Sequence, residues 1–130
     1  MKKICSPLCG FCEYNVETID HLFFMCNTVR NLWLQVFESW NYFSNINVVP
    51  TCKECVLGIY DTDITNVNDL NIIILYGRRF IWRCKLKLHS PTFLGFMKYL
   101  CQQLEILEKG PHGRNIASVK QFVSEVLTNT

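Results

Sequence analysis

Residues 9–26 read CGFCEYNVETIDHLFFMC and contain three cysteines and one histidine in the pattern C-x2-C-x8-H-x4-C. Thiolate and imidazole groups are preferred ligands of Zn²⁺, which binds four of them tetrahedrally in structural sites. A close cysteine pair followed by a second pair of ligands is a typical spacing for such a site. The stretch therefore predicts a structural zinc site formed by Cys9, Cys12, His21 and Cys26, with no coordination position left open for catalysis.

The second half of this stretch favours a helix that carries the last two ligands. Thr18 is a suitable N-cap for it, and Glu17 is expected to act at the same helix start. His21 and Cys26 are five residues apart, which is about 140° around a regular helix and too wide for one face. We therefore expect a bend or break of the helix near residues 25–27, where it would help the site to close.

The eight cysteines would also suffice for four disulfides in a small secreted domain. The first residues, MKKICSPLCGFCEYN, have neither the apolar segment nor the small-residue cleavage site of an export signal. We therefore expect reduced cysteines and a reducing compartment, the cytosol or the nucleus. No apolar run approaches the about 18 residues that cross a bilayer, so a membrane span is not expected.

Residues 9–33 resemble the zinc-binding domain that follows the reverse transcriptase in LINE-type (non-LTR) retrotransposons. Besides the four ligands, the likeness rests on Glu17-Thr18, on the HLFF run that begins at His21, and on Leu32-Trp33. Residues 70–87, LNIIILYGRRFIWRCKLK, and the segment 91–100 are similar to the helical tail that ends such polyproteins. The resemblance covers about residues 5–108, after which the GPHG sequence at 110–113 interrupts the charged helix of that family. It implies a module that holds template RNA or target DNA near a polymerase supplied by another segment or chain.

Hydrophobic periodicity predicts a mainly α-helical fold, in which the zinc knuckle is followed by a helical bundle. We expect residues 1–40 to form the knuckle with its packing helices, 41–69 a connector, and 70–130 a basic helical tail. After a cap at Asn27 or Thr28, a stripe at helical spacing is expected to pack over the zinc site: Val29, Leu32, Trp33, Val36, Phe37 and Trp40. In the connector, VLGIY at 56–60 is expected to add a short strand or turn.

The tail is expected to contain two long helices and a weaker last one. Asp69 should cap the first, whose core stripe contains Gly77 and so indicates a close helix crossing. Ser90-Pro91 should begin the second helix, and residues 116–127 are expected to dock as an amphipathic segment. The predicted core positions of the first two are Leu70, Ile73, Ile74, Gly77, Phe80, Ile81, Cys84 and Leu88, then Phe93, Phe96, Met97, Leu100, Leu104 and Leu107.

The charge of the chain is divided unevenly, although the net value is only +2. Residues 1–69 hold four Lys or Arg and eight Asp or Glu, whereas residues 70–130 hold nine and three. Cations interleaved with an aromatic side chain suit phosphate contact with base stacking, so weak, sequence-tolerant binding of RNA or DNA is one interpretation. A solvated helix face with Trp82 packed on a neighbour is the other. The candidate residues are Arg78, Arg79, Trp82, Arg83, Lys85 and Lys87.

No arrangement in the sequence indicates catalysis, and we do not expect an enzyme. Cys52 and Cys55 form a second C-x2-C, but no second ligand pair follows closely, so free thiols are favoured over half of another metal site. The carboxylates in YDTD at 60–63 are separated by a threonine in a loop-like stretch, unlike the adjacent pair of a polymerase. Two alternatives to the nucleic-acid role are a protein interaction module and a decayed element fragment without a function.

Overall fold

A computed structural model describes residues 8–13, 15–59, 67–110 and 116–129 of the chain. The fold is mainly α-helical, as predicted, with a Cys/His cluster ahead of a helical bundle. No helix within these ranges combines the length and the apolar character that crossing a membrane requires. A π-helical turn at His21–Met25 is followed by α1 (Asn27–Ser44), α2 (Cys52–Leu57), α3 (Val67–Lys87), α4 (Phe93–Lys109) and α5 (Ala117–Thr128).

Helix α1 is the central packing element of the N-terminal half. All six apolar residues of its predicted stripe are buried, which confirms the helical period. The indole nitrogen Nε1 of Trp33 donates to the carbonyl of Phe23 at 2.7 Å and ties α1 to the π-helical turn. The helix begins at Asn27 itself, with Cys26 at the N-cap position and no side-chain cap, so the predicted cap at Asn27 or Thr28 is wrong.

Gly77 of α3 packs against the indole of Trp33 on α1. A Cβ at this position would lie 2.6 and 2.9 Å from two ring atoms of Trp33, so only a residue without a side chain admits the indole. Seven of the eight predicted core positions of α3 are buried. Leu88 is the exception, since α3 ends at Lys87 and Leu88 has a φ of 57° and 64 % exposure.

The N-terminal boundaries of α3 and α4 differ from those predicted. Helix α3 begins at Val67, so Asp69 lies within its first turn rather than at its cap. Helix α4 begins at Phe93, and the Thr92 hydroxyl accepts from the Gly95 amide at 3.1 Å. Thr92 supplies the cap because its side-chain oxygen reaches a free amide of the first turn, whereas Ser90-Pro91 precedes the helix and belongs to no secondary-structure element.

Two aromatic clusters join the helices of the bundle. Phe80 of α3 lies 5.6 Å from Phe96 and 5.5 Å from Tyr99 of α4, measured between ring centroids. Trp40 of α1 meets Phe122 of α5 edge to face at 5.1 Å. The predicted docking of the last segment is therefore confirmed over Ala117–Thr128. Four of the six predicted core positions of α4 are fully buried, and the other two, Phe93 and Leu107, are partly buried and pack against the core.

The segment between α1 and α3 is pinned to the bundle by two asparagines. The Asn41 side chain accepts from the amide of Val48 at 3.1 Å and donates to its carbonyl at 2.7 Å. Asn71 makes the same pair of hydrogen bonds to Ile59, both at 2.7 Å. Helix α2 occupies part of this segment, so Val56 and Leu57 end a helix rather than form the short strand or turn expected there.

Replacing Gly77 by alanine should destabilise the protein. Helix propensity alone would favour alanine by about 1 kcal/mol, but the added methyl would enter the ring of Trp33, which is fully buried and hydrogen-bonded. Overpacking of this kind costs about 1–3 kcal/mol, so we expect a lower free energy of unfolding in urea titrations.

Gly110→Ala is the matched control, because a Cβ there has its nearest contact at 3.4 Å. If Gly77→Ala proved as stable as Gly110→Ala, the tight packing of the Trp33 ring on Gly77 would be refuted.

Candidate metal centre and basic face

The first two ligands lie on a short knuckle closed by backbone hydrogen bonds. Leu8 and Val16 form an antiparallel bridge, and the Cys9 amide donates to the carbonyl of Asn15 at 2.8 Å. The chain then turns within residues 9–13, where the Glu13 amide donates to the carbonyl of Cys9 at 2.9 Å. This tight turn brings the two cysteines of the C-x2-C to one side of the knuckle.

The other two predicted ligands, His21 and Cys26, are joined by the π-helical turn. The Cys26 amide donates to the carbonyl of His21 at 2.9 Å, which is the i to i+5 hydrogen bond of a π-helix. This wider turn matches the five-residue separation of the two ligands, which a regular α-helix would place on different faces. The break expected near residues 25–27 is confirmed, because Cys26 is extended (φ −61°, ψ 132°). Thr18 caps the segment as predicted, its hydroxyl accepting from the His21 amide at 3.0 Å.

The four predicted ligands converge on one point. The donor atoms of Cys9, Cys12, His21 and Cys26 all lie within 4.8 Å of one another, and Cys12 Sγ is 3.3 Å from His21 Nε2. In a tetrahedral zinc site with Zn–S bonds of about 2.3 Å, neighbouring donors are about 3.8 Å apart. The cluster therefore has the size and the donor types of a site that can bind a metal ion. Cys9, His21 and Cys26 are buried and Cys12 is half-buried.

The Cys9 thiol is protonated at neutral pH in the absence of a cation, and a backbone amide faces its sulfur. Burial raises the pKa of the Cys9 thiol to about 11, while the backbone amides of Cys12 and Phe11 act in the opposite direction and Cys26 adds to the rise. The Phe11 amide lies 3.4 Å from Cys9 Sγ, so a hydrogen-bond donor already faces the sulfur. A bound cation removes the proton from a coordinating thiol outright, and the amide would then stabilise the resulting negative charge.

The second C-x2-C does not join this cluster. Cys52 and Cys55 lie on α2, Cys55 is buried, and both are free thiols. Burial raises the pKa of each, and for Cys52 the nearby Asp20 adds to the effect. Among the described residues, only the four predicted ligands form a group with metal-binding geometry. Cys5 lies outside the described residues.

Glu17 connects the knuckle to α3. One carboxylate oxygen accepts from the Gly10 amide at 3.2 Å, and the other forms an ion pair with Lys85. Both side chains are mostly buried, with exposures of 20 % for Glu17 and 27 % for Lys85. The sequence pattern placed Glu17 at a helix start, but its Oε2 atom pairs with Lys85, which lies 68 residues further along the chain, and no local pattern could reveal this contact.

The structure divides the six predicted nucleic-acid residues into two sets. Arg79, Arg83, Lys87 and Trp82 are exposed, with Trp82 at 46 %. Arg79 lies over the Tyr76 ring at 5.3 Å and Arg83 over the Tyr99 ring at 5.8 Å. By contrast, Arg78 donates to the carbonyl of Val56 and so holds α2, and Lys85 is paired with Glu17.

His89 is exposed just after α3. His112 and the carboxylates of the YDTD stretch lie outside the described residues. Cys101 of α4 is half-buried.

Comparisons of the chain with protein-family models, with curated proteins and with solved structures found no match. The resemblance to the retrotransposon zinc-binding domain therefore stays a prediction from the residues that carry it. What the chain does must be inferred from its donor atoms and its charges.

Breaking the Glu17–Lys85 ion pair should loosen the knuckle from α3. We expect a double-mutant cycle of Glu17→Gln and Lys85→Met to give a coupling of about 0.5–1 kcal/mol, because the pair is only partly shielded from water. The coupling is measured by urea unfolding of the four proteins and should fall at high salt.

Lys120 and Glu108, an exposed pair at 2.8 Å, provide the matched cycle and should couple less. Equal coupling in the two cycles would contradict a special role of Glu17.

Proposed function

We propose that the chain is a non-catalytic, zinc-stabilised module that associates with RNA or DNA. The observation that carries the proposal is the convergence of three thiols and one imidazole, all with donor atoms within 4.8 Å. Zinc suits this donor set better than the oxygen-preferring Mg²⁺ or Ca²⁺, and a closed set of four protein ligands defines a structural site. When bound, the metal supplies a crosslink between the knuckle and the π-helical turn.

The nucleic-acid role is supported by the exposed face of α3. Arg79, Arg83 and Lys87 repeat every four residues, which places them on one side of the helix at intervals of about 6 Å. Trp82 lies beside them and is 46 % exposed, with Lys85 Nζ 5.1 Å from its ring centroid, and we assign base stacking to this ring. We assign phosphate contacts to these three cations and give Arg78 and Lys85 the task of holding α2 and the knuckle. The resemblance to the C-terminal end of LINE-type polyproteins points to the same class of partner.

Elemental analysis of protein purified under reducing conditions tests the metal. We expect one zinc per chain in the wild type, and its loss together with helical content in His21→Ala and Cys26→Ala. Zinc binds finger peptides with apparent energies of about 10–16 kcal/mol, enough to decide whether this region folds.

Cys52→Ala is the control, since it removes a half-buried thiol of the other C-x2-C and should keep the zinc. A folded wild type that takes up no zinc would overturn the proposal.

Salt-dependent binding of labelled single-stranded oligonucleotides tests the second part. Each phosphate contact contributes about 0.7 to the slope of log K against log salt for single strands. Neutralising Arg79, Arg83 and Lys87 together to glutamine should therefore reduce the slope by about 2 in fluorescence anisotropy titrations.

The control replaces Arg30, Lys53 and Lys109, exposed cations outside this face, and should leave most of the slope in place. A wild type that binds no oligonucleotide but self-associates would instead favour the protein interaction module. The exposed apolar side chains of Leu75, Trp82 and Leu86 on α3 are the surface such a module would use.

A further inference from the structure

A cleft of about 300 Å³ lies between the C-terminal half of α3 and the first turns of α4. It opens beside Arg83 and Lys87, the last two cations of the exposed α3 face. Helix α4 contributes groups that the sequence pattern did not single out. The polar side chains that line the cleft are Arg83, Lys87, His89, Lys98, Tyr99 and Gln102.

The charged side chains of this cleft have one sign. Arg83, Lys87 and Lys98 are cations, and none of the described residues that line the cleft is acidic. The acidic residues of α4 lie elsewhere: Glu105 lines the opposite cleft, against α5, and Glu108 pairs with Lys120. Within the described ranges, neither Arg83, Lys87 nor Lys98 has an ion-pair partner. A concave surface lined by charges of one sign concentrates the electrostatic potential and attracts an opposite charge.

The wall of the cleft is preorganised for an anion. Arg83 lies over the ring of Tyr99, and that ring packs on Phe80 at 5.5 Å, so the guanidinium is held in place by aromatic contacts. Burial raises the pKa of Tyr99, against the opposing effect of Arg79 and Arg83, which leaves a neutral hydroxyl able to donate a hydrogen bond at neutral pH. The Gln102 amide adds a further donor.

The cleft continues the exposed cation row. Arg79 and Arg83 are exposed one helical turn apart on α3, and Arg83 also lines the cleft, so the exposed α3 face runs directly into the cleft. A nucleic-acid strand that contacts Arg79 would reach the cleft within one further turn of α3. This continuity favours a phosphate that belongs to a chain of phosphates over a free anion.

We propose that this cleft binds one phosphate group of a single-stranded nucleic acid, and that Lys98 and Tyr99 belong to the interface. The inference rests on the proposed nucleic-acid function and extends it from α3 to α4. Phosphate is the shared chemistry of RNA and DNA, so the cleft itself does not select between them.

The test compares Lys98→Gln with Lys109→Gln, which removes the same charge from an exposed position at the far end of the same helix. Fluorescein-labelled 20-mers of oligouridine and oligothymidine are titrated over a salt series with the zinc-loaded full chain. We expect Lys98→Gln to lower the salt slope by about 0.7 with a uniform loss of affinity for both oligonucleotides, and Lys109→Gln to leave the slope unchanged. Tyr99→Phe, which keeps the ring, should weaken binding without changing the slope.

Melting temperatures of the variants establish that each remains folded. If Lys98→Gln and Lys109→Gln behave alike while neutralising Arg79 still weakens binding, phosphate binding in the cleft is refuted and the proposed nucleic-acid function stands. If the wild type binds neither oligonucleotide, both proposals fail together. A loss confined to one oligonucleotide would refute recognition through phosphate alone.

Discussion

The five-residue spacing of two predicted ligands, His21 and Cys26, places the strongest constraint on the N-terminal half of this protein. His21 and Cys26 must both reach Cys9 and Cys12, and the chain meets that requirement with a π-helical turn that ends in an extended Cys26. The same break sets the start of α1 at Asn27. Helix α1 carries Trp33, which packs against Gly77 of α3. The position where α1 begins therefore also affects how α1 packs against α3.

The Cys/His cluster and the basic helix are physically connected, although they lie far apart in sequence. Glu17 ties the knuckle both to its own Gly10 amide and to Lys85 of α3. Trp33, through its hydrogen bond to Phe23, forms a second connection between the π-helical turn and the bundle. A small chain with a modest core benefits from such links, because folding stabilities of about 5–15 kcal/mol are comparable with the energy of one structural zinc site.

The cations of α3 fall into two sets, one that holds the fold together and one that is exposed to solvent. Arg78 and Lys85 face inward on one flank of α3 and hold α2 and the knuckle in place. Arg79, Arg83 and Lys87 remain exposed on the other flank and continue into the cleft against α4. A helix that carries five cations within ten residues thus uses two for architecture and presents three to solvent.

The sequence by itself determined the ligand set and most of the core. Donor spacing within 18 residues is a local property, and apolar stripes at helical period report burial directly, as for Trp40 in α1. Only the tertiary structure decided which cations of α3 are exposed and which residues fix the connector to the bundle. The contacts of Glu17 with Lys85 and of Asn71 with Ile59 join residues that are distant in the chain. The side chains of Glu17 and Asn71 belong to no periodic pattern that would reveal these partners. The cleft that contains Lys98 exists only because α3 and α4 pack side by side, so its charges could not be grouped before the fold was known.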